Sequence, residues 1–414
     1  MSDTQAYQAK QLILLCQKQG DYQKGLTIAR QALTLGEHQA FFLSAAATMC
    51  IRLEYWQEAI DYALQAIKID SSDINSFDVL AHAYGAMQDW GNAALYGRAA
   101  LELRHLNVLQ NTSIPTLPPL PDGNNKRKNI ISFSLFGDSS AYIEPAIMNV
   151  ALVADVYPDW LCRFYVDDSV PSSAIDRLTT SCSEVVHVQG RDRSLPKTMW
   201  RFLAMDDKTV GRVIFRDADS VISGREATTV AEWIDSGQRF HTIRDSGSHT
   251  ELVLAGLWGA LAGMIPNITQ KMHDYIVKHG DEGRFADQNF LREVAWRYIH
   301  QDVYASDRIF GFMNAKPILD THFDFSLTHI GCNEGSSVFC ANSDQFTTGK
   351  KVTWRLYSSI RLLPDFTLPV QVGEERLICE YHTVAKDGHV KGLIPRRYAH
   401  GIDKGLSRIE LITT

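Results

Sequence analysis

The chain has 414 residues, 45% of them apolar and 21% charged, and a formal net charge of −7 at neutral pH. That length allows two domains with ample core, and the composition is ordinary for a soluble globular protein. The negative balance excludes a broadly basic surface for nucleic acid, and no apolar stretch approaches the roughly 20 residues that span a bilayer.

The seven cysteines form no CxxC pair, and Met1 to Ala6 is polar rather than a basic-then-apolar leader. Reduced core thiols and a cytoplasmic address are the expectation. The glycosylation sequons at Asn111 and Asn267 are read as chance.

Residues 1 to 107 repeat with a spacing of 34. Tyr22, Trp56 and Trp90 form one column, and Gly25, Ala59 and Ala93 a second. Ala32, Ala66 and Ala100, then Leu33, Ile67 and Leu101, then Leu35, Ile69 and Leu103 complete the pattern. Small residues at fixed positions let paired helices approach, and an aromatic fills the turn between them. The pattern resembles the tetratricopeptide repeat, although Ile13, Ala47 and Ala81 stand where that family has Gly, and Glu37, Ser71 and His105 where it has Pro. The resemblance implies an all-α solenoid that stacks three units around a continuous core. Its concave side would dock a protein partner or acceptor, or serve packing and self-association.

Residues 108–128 read as a Pro-rich connector, with a flexible turn at Gly123, Asn124 and Asn125 and a basic start to the next strand at Lys126, Arg127 and Lys128. From 129 the pattern alternates. Asn129–Phe136 reads as a strand, Ala141–Val156 as a helix, Leu161–Val166 and Glu184–Val188 as strands, and Met199–Met205 as helical. This β-α-β-α order calls for an α/β domain with a mostly parallel sheet covered by helices.

The next strand, through Val213, Ile214 and Phe215, ends in Arg216, Asp217, Ala218 and Asp219. Carboxylates are hard oxygen ligands suited to Mg²⁺ or Mn²⁺, metals that usually arrive with a substrate's phosphates. Open α/β sheets place ligands beyond the carboxyl ends of their strands. Phe215 to Asp219 looks like the Asp-x-Asp motif of GT-A-fold glycosyltransferases. That resemblance, over residues 129–344, implies a metal-dependent transferase that uses a nucleotide-diphosphate sugar, UDP- or GDP-linked. The acceptor would be a saccharide, a lipid-linked sugar or a protein.

By the same resemblance Asp219 is a metal ligand, Asp217 a ligand or ribose contact, and Asp307 the third ligand, with His329 as alternative. Trp200, Arg201, Arg216 and Trp258 belong to the donor-binding set, Arg201 as a bidentate phosphate donor and Trp258 as a sugar-stacking ring beside flexible glycines. Asp287 and Asp245 are the candidates for activating or positioning the acceptor. Residues 345–414 read as a C-terminal extension packed on this domain, with Arg396 and Arg397 as a cationic patch. Two rival readings remain: an inactive transferase-like fold serving as a repeat scaffold, and a nucleotidyl- or phosphoryl-transfer enzyme.

Overall fold

The 34-residue period becomes helical pairs: α1 (Ser2–Gln19) with α2 (Tyr22–Leu33), α3 (Gln39–Arg52) with α4 (Trp56–Ile69), and α5 (Ile74–Ala86) with α6 (Trp90–Leu109). The aromatic column is the first residue of the second helix in each pair, so its ring marks the turn. Asp21 and Asp89 cap two of these helices through the amides of Lys24 and Asn92. Gly25, Ala59 and Ala93, and Ala32, Ala66 and Ala100, are buried where only small residues fit between helices. Leu26, Phe42, Met49 and Leu80 fill the core between pairs.

The structure, a computed structural model, describes residues 2–110, 112–120, 127–280, 283–318, 328–343 and 345–413. Asn111, the turn at 123–125, Lys126 and the domain border at Asp344 lie outside the described residues. Two units emerge, the first joining residues 1–115 with 242–254 and 303–320, the second holding the remainder.

Within the first unit the added segments are gripped by the last helical pair. Arg104 pairs with Asp78, sits 3.3 Å from Glu251 and donates to the Thr250 carbonyl at 3.1 Å. The Arg308 guanidinium lies 4.0 Å above the Trp90 ring. Gly97 leaves room for Phe310; a Cβ there would sit 2.2 Å from the ring. Gly97→Ala should therefore cost about 1–3 kcal/mol by overpacking. Urea unfolding of Gly97→Ala against the double variant with Phe310→Leu checks this, since trimming the ring should return most of the loss.

From residue 128 the chain forms β1 (Lys128–Leu135), α7 (Ser140–Val156), β2 (Trp160–Val166), α8 (Ser172–Leu178) and β3 (Ser183–His187). The expected helix at 199–205 is a 3-10 segment, Lys197–Asp206, entered from Pro196. β4 (Val210–Arg216) follows, then α9 (Gly224–Ser236), β5 (Phe240–Arg244), β6 (Trp258–Leu261) and α10 (Ile268–His279). A helical run holds α11 (Ala286–Phe290), a π-turn at Leu291–Ala295 and α12 (Trp296–Ile299), and β7 (Val303–Asp307) comes after it.

The sheet has seven strands in the order β3-β2-β1-β4-β6-β5-β7. β1 pairs in parallel with both β2 and β4, β2 with β3, while β6 runs antiparallel to β4. The expected α/β architecture, an N-terminal helical repeat and a mostly parallel sheet, is present. The chain moves outward from β1 through β2 to β3, then returns to the other flank of β1 as β4. That reversal opens a crevice beyond the ends of β1 and β4.

The C-terminal residues build more than their sequence suggests. β8 (Ser337–Asn342) and β11 (His389–Ile394) pair antiparallel. β9 (Lys351–Ile360) is flanked by β10 (Val372–Val384) and β12 (Ser407–Thr413), with α13 (Arg396–Ala399) before the last strand. Trp354, Leu356, Ile394 and Tyr398 form a core that includes Met148 of α7.

Candidate functional site

β4 is a buried apolar strand, so the first polar residues after it must emerge at its end. Asp217 does so with about half of its side chain exposed. A cavity of about 410 Å³ opens there, lined by Ser134, Leu135 and Phe136 from the end of β1, and by Asp217, Ala218 and Asp219 after β4. Tyr142 of α7, Thr198 and Arg201 of the 3-10 segment, and Asp287 of α11 complete its walls. It occupies the crevice at the strand reversal.

Arg201 is the hub of this cavity. Its backbone is fastened to β1, where Ser132 donates to the Arg201 carbonyl at 2.7 Å and the Arg201 amide donates to the Ser134 hydroxyl at 2.9 Å. One guanidinium nitrogen donates to the Arg216 carbonyl at 2.9 Å and to the Asp217 carboxylate. The other donates to Asp287 at 2.7 Å. Burial alone would lower the Arg201 pKa, but the adjacent carboxylates outweigh it and hold the group charged. Burial pushes Asp287 up against the pull of Arg201. Burial, then the neighbouring charge of Asp217, pushes Asp219 up to about 6. A half-buried carboxylate held against a second one is an environment that a bound cation would relieve.

The loop after β4 is held from both sides. Asn149 of α7, fully buried, donates to the Ser220 carbonyl and accepts from the Ile222 amide, each at 2.8 Å. Asn333 donates to the Asp219 carboxylate at 2.9 Å, and the Glu334 amide donates to the Asp219 carbonyl at 2.7 Å. These partners, with Ser132 and Ser134, escape sequence reasoning because each is a single polar residue with no period or motif around it.

The remaining sequence candidates are placed as follows. Trp200 is fully buried and donates to the Asp192 carbonyl at 3.2 Å, so it supports the 3-10 segment without lining the cavity. Trp258 is fully buried too, stacked on Phe215 with ring centroids 4.2 Å apart, and is a core residue instead of a sugar platform. Arg216, 1% exposed, pairs with Glu226 at 2.8 Å and ties the end of β4 to the Trp258 carbonyl, and it is not among the residues lining the cavity. Arg397 is likewise buried in an ion pair with Glu334, while Arg396 is partly exposed and donates to the Cys332 sulfur at 3.3 Å.

Asp245 and Asp307 belong to the first unit and are not among the residues lining the cavity. Asp245 is buried 3.7 Å from Arg308. Asp307 accepts the amides of Ile309 and Phe310 on one carboxylate oxygen, each at 2.8 Å, and closes the turn after β7. His329 accepts no place among the cavity residues either; it lies beside the Ile330 carbonyl. Thus Arg201, Asp217, Asp219 and Asp287 are brought together, and the other candidates are not.

The glycines near Trp258 also have a different purpose from the expected one. A Cβ on Gly256 would lie 2.1 Å from one Asp217 carboxylate oxygen and 3.1 Å from the Asp217 amide nitrogen. The bare backbone at 256 is what lets Asp217 face Arg201. Gly256→Ala should push that carboxylate away from Arg201, with a stability loss of about 1–3 kcal/mol. Urea unfolding of the variant against wild type measures the loss.

No protein-family model matches the chain, and no curated protein does. Among solved structures, the chain is similar to the first TPR domain of Spaghetti (RPAP3) bound to an HSP90 peptide, at 19% identity over 24% of this chain and 79% of that one, TM-score 0.24. It is similar to the Sgt2 TPR domain from Aspergillus fumigatus at 16% identity, over 30% and 91% of the two chains, TM-score 0.22. A Thermobaculum terrenum O-GlcNAc transferase mutant is similar at 14% identity, over 52% of this chain and 46% of that one, TM-score 0.29. Likenesses this slight carry no argument, and the chemistry of the cavity has to speak for itself.

Proposed function

We propose that this chain is a metal-dependent glycosyltransferase of the GT-A kind, which moves a sugar from a UDP- or GDP-linked donor to a saccharide, lipid-linked sugar or protein acceptor. The observation that carries the reading is the acidic pair Asp217 and Asp219 facing a cavity of about 410 Å³ at the strand reversal, with Arg201 between Asp217 and Asp287. Among the described residues no group of three or more His, Cys, Asp and Glu side chains could hold a metal ion alone. Two carboxylates suit Mg²⁺ or Mn²⁺ that completes its shell with diphosphate oxygens and water. Bound there, such a cation would neutralise charge on a departing diphosphate.

The chain's own residues supply the rest. Asp219 and Asp217 would hold the cation, and Arg201 would take up phosphate charge as Asp217 turns toward the metal. Asp287 keeps Arg201 aimed into the cavity and stands within reach of an acceptor hydroxyl bound beside it. The helical repeats would dock a protein partner or the acceptor. Tyr7, Leu12, Leu14 and Leu15 on α1 are exposed apolar residues suited to that contact or to self-association. No described helix is long and apolar enough to cross a membrane. The cysteines are all free.

A second reading, an inactive transferase-like scaffold, is favoured by the ion pair that already neutralises Asp217. A thermal-shift screen of UDP-, GDP- and other nucleotide sugars, with Mn²⁺ or EDTA, on wild type and Asp219→Ala, decides between them. At 100 times Kd a donor stabilises the fold by about 2.7 kcal/mol. A metal-dependent shift for one nucleotide that vanishes in Asp219→Ala, together with release of free UDP or GDP, supports the enzyme. A flat response to every nucleotide leaves the scaffold reading.

A further inference from the structure

The Asp219 carboxylate is reached from a part of the chain that the motif itself does not contain. Asn333, 114 residues further on, donates its side-chain amide to one carboxylate oxygen at 2.9 Å. A carboxylate only accepts, so the nitrogen end of the amide must face it. The adjoining Glu334 amide takes the Asp219 carbonyl at 2.7 Å, so side chain and backbone of Asp219 are gripped by consecutive residues.

That two-residue grip is itself anchored. Glu334 is 3% exposed and Arg397 4% exposed. Glu334 accepts from the Arg397 Nε at 3.0 Å and from its backbone amide at 2.9 Å, and the Glu334 carbonyl accepts the Arg396 amide at 2.7 Å. The next residue, Gly335, lies so close to α7 that a Cβ would fall 1.9 Å from the Ala141 carbonyl oxygen. Such a fixed, buried support is more than a surface turn requires, and it ends on the Asp219 carboxylate.

We infer that the C-terminal segment completes the acidic site: Asn333 is a positioning residue that aims the Asp219 carboxylate at a divalent cation, and the Glu334–Arg397 pair holds Asn333 in place. This rests on the reading of Asp217 and Asp219 as cation ligands. Partners that orient a metal ligand from the outside typically set metal affinity by about tenfold or more. The repeats and the parallel sheet could form without α13, but the acidic pair would then have one unguided member.

The test is a MnCl₂ titration of the full chain, with UDP and then with GDP present, reading free Mn²⁺ by electron paramagnetic resonance. Wild type, Asn333→Ala and Arg397→Lys are compared. The Asn333 side chain is exposed, so Asn333→Ala should keep the wild-type melting temperature while binding Mn²⁺ about tenfold more weakly. In turnover its half-saturating Mn²⁺ should rise by the same factor and kcat return at saturating metal, a split that a merely structural residue does not produce. Arg397→Lys keeps the charge but loses the planar fork, and should weaken Mn²⁺ binding with Asn333 intact. Wild-type Mn²⁺ affinity in both variants would overturn the inference while sparing the site. Absence of Mn²⁺ binding by the wild type with either nucleotide would overturn the site and the inference together.

Discussion

Asp219→Asn is expected to make the metal-free protein more stable at pH 7.5 and, under the proposed function, to abolish sugar transfer. Burial pushes the Asp219 carboxyl from 3.8 up to about 6. Keeping it ionised in the folded state therefore costs about 3 kcal/mol at neutral pH, of which solvent at the cavity mouth screens about half. Asparagine keeps the shape and still accepts from Asn333, but carries no charge to desolvate. The gain should be about 1–2 kcal/mol, or a few degrees in melting temperature. An acid whose folded value lies above its unfolded one takes up its proton in the native state first. Wild type thus regains stability as pH falls from about 6 toward 3.8, and the advantage of the variant should fade over that same interval. Melting curves at pH 7.5 and pH 4.5 check both halves. With Mn²⁺ and the preferred nucleotide the order should invert, since only wild type gains from binding. Equal melting temperatures at pH 7.5 would mean that the acidic pair is not strained in the absence of a cation.

Arg201→Met is expected to have the largest effect on stability. The guanidinium is 3% exposed and bridges Asp217 and Asp287, and Asp287 is itself 4% exposed. Removing the cation strands a buried carboxylate, a loss of about 3–5 kcal/mol. Neutralising the stranded partner in Arg201→Met/Asp287→Asn should return more than half of it. A urea-unfolding double-mutant cycle measures the coupling; a cost below about 1 kcal/mol for Arg201→Met would show that water replaces the ion pair. Under the proposed function neither variant should transfer sugar, because phosphate charge would meet no cation from the protein.

The period of the repeats was legible because each column is written three times, and the strand ending at Asp217 because an apolar run stops at two acids. Arg201 and Asp287 were found through the resemblance, one in the helical segment before the acidic motif and the other in an Asp-Gln element after it. Trp200 and Trp258 misled because an aromatic beside small residues looks the same whether it faces a ligand or a core; only the stacking on Phe215 decides. Asp245 and Asp307 share with Asp219 a position at or beyond a strand end, yet Arg308 and the amides after β7 claim them. Asn333 and Asn149 were invisible, since one hydrogen bond over 114 or 71 residues leaves no trace in local pattern. Gly256 was noticed, but its reason, the approach of Asp217, lies in another strand.

The first unit draws on three separate stretches of chain, 1–115, 242–254 and 303–320. During synthesis the six N-terminal helices leave the ribosome long before their last packing partner is made. From residue 115 to residue 303 the delay is about 10–40 s at ordinary elongation rates. Throughout that interval the notch at Gly97 has no Phe310 to fill it, and for the first part of it, until residue 251 is made, Arg104 has Asp78 but not Glu251. The helical array therefore begins life as an open acceptor for its own later sequence, and its final pair is sealed only after much of the second unit has emerged.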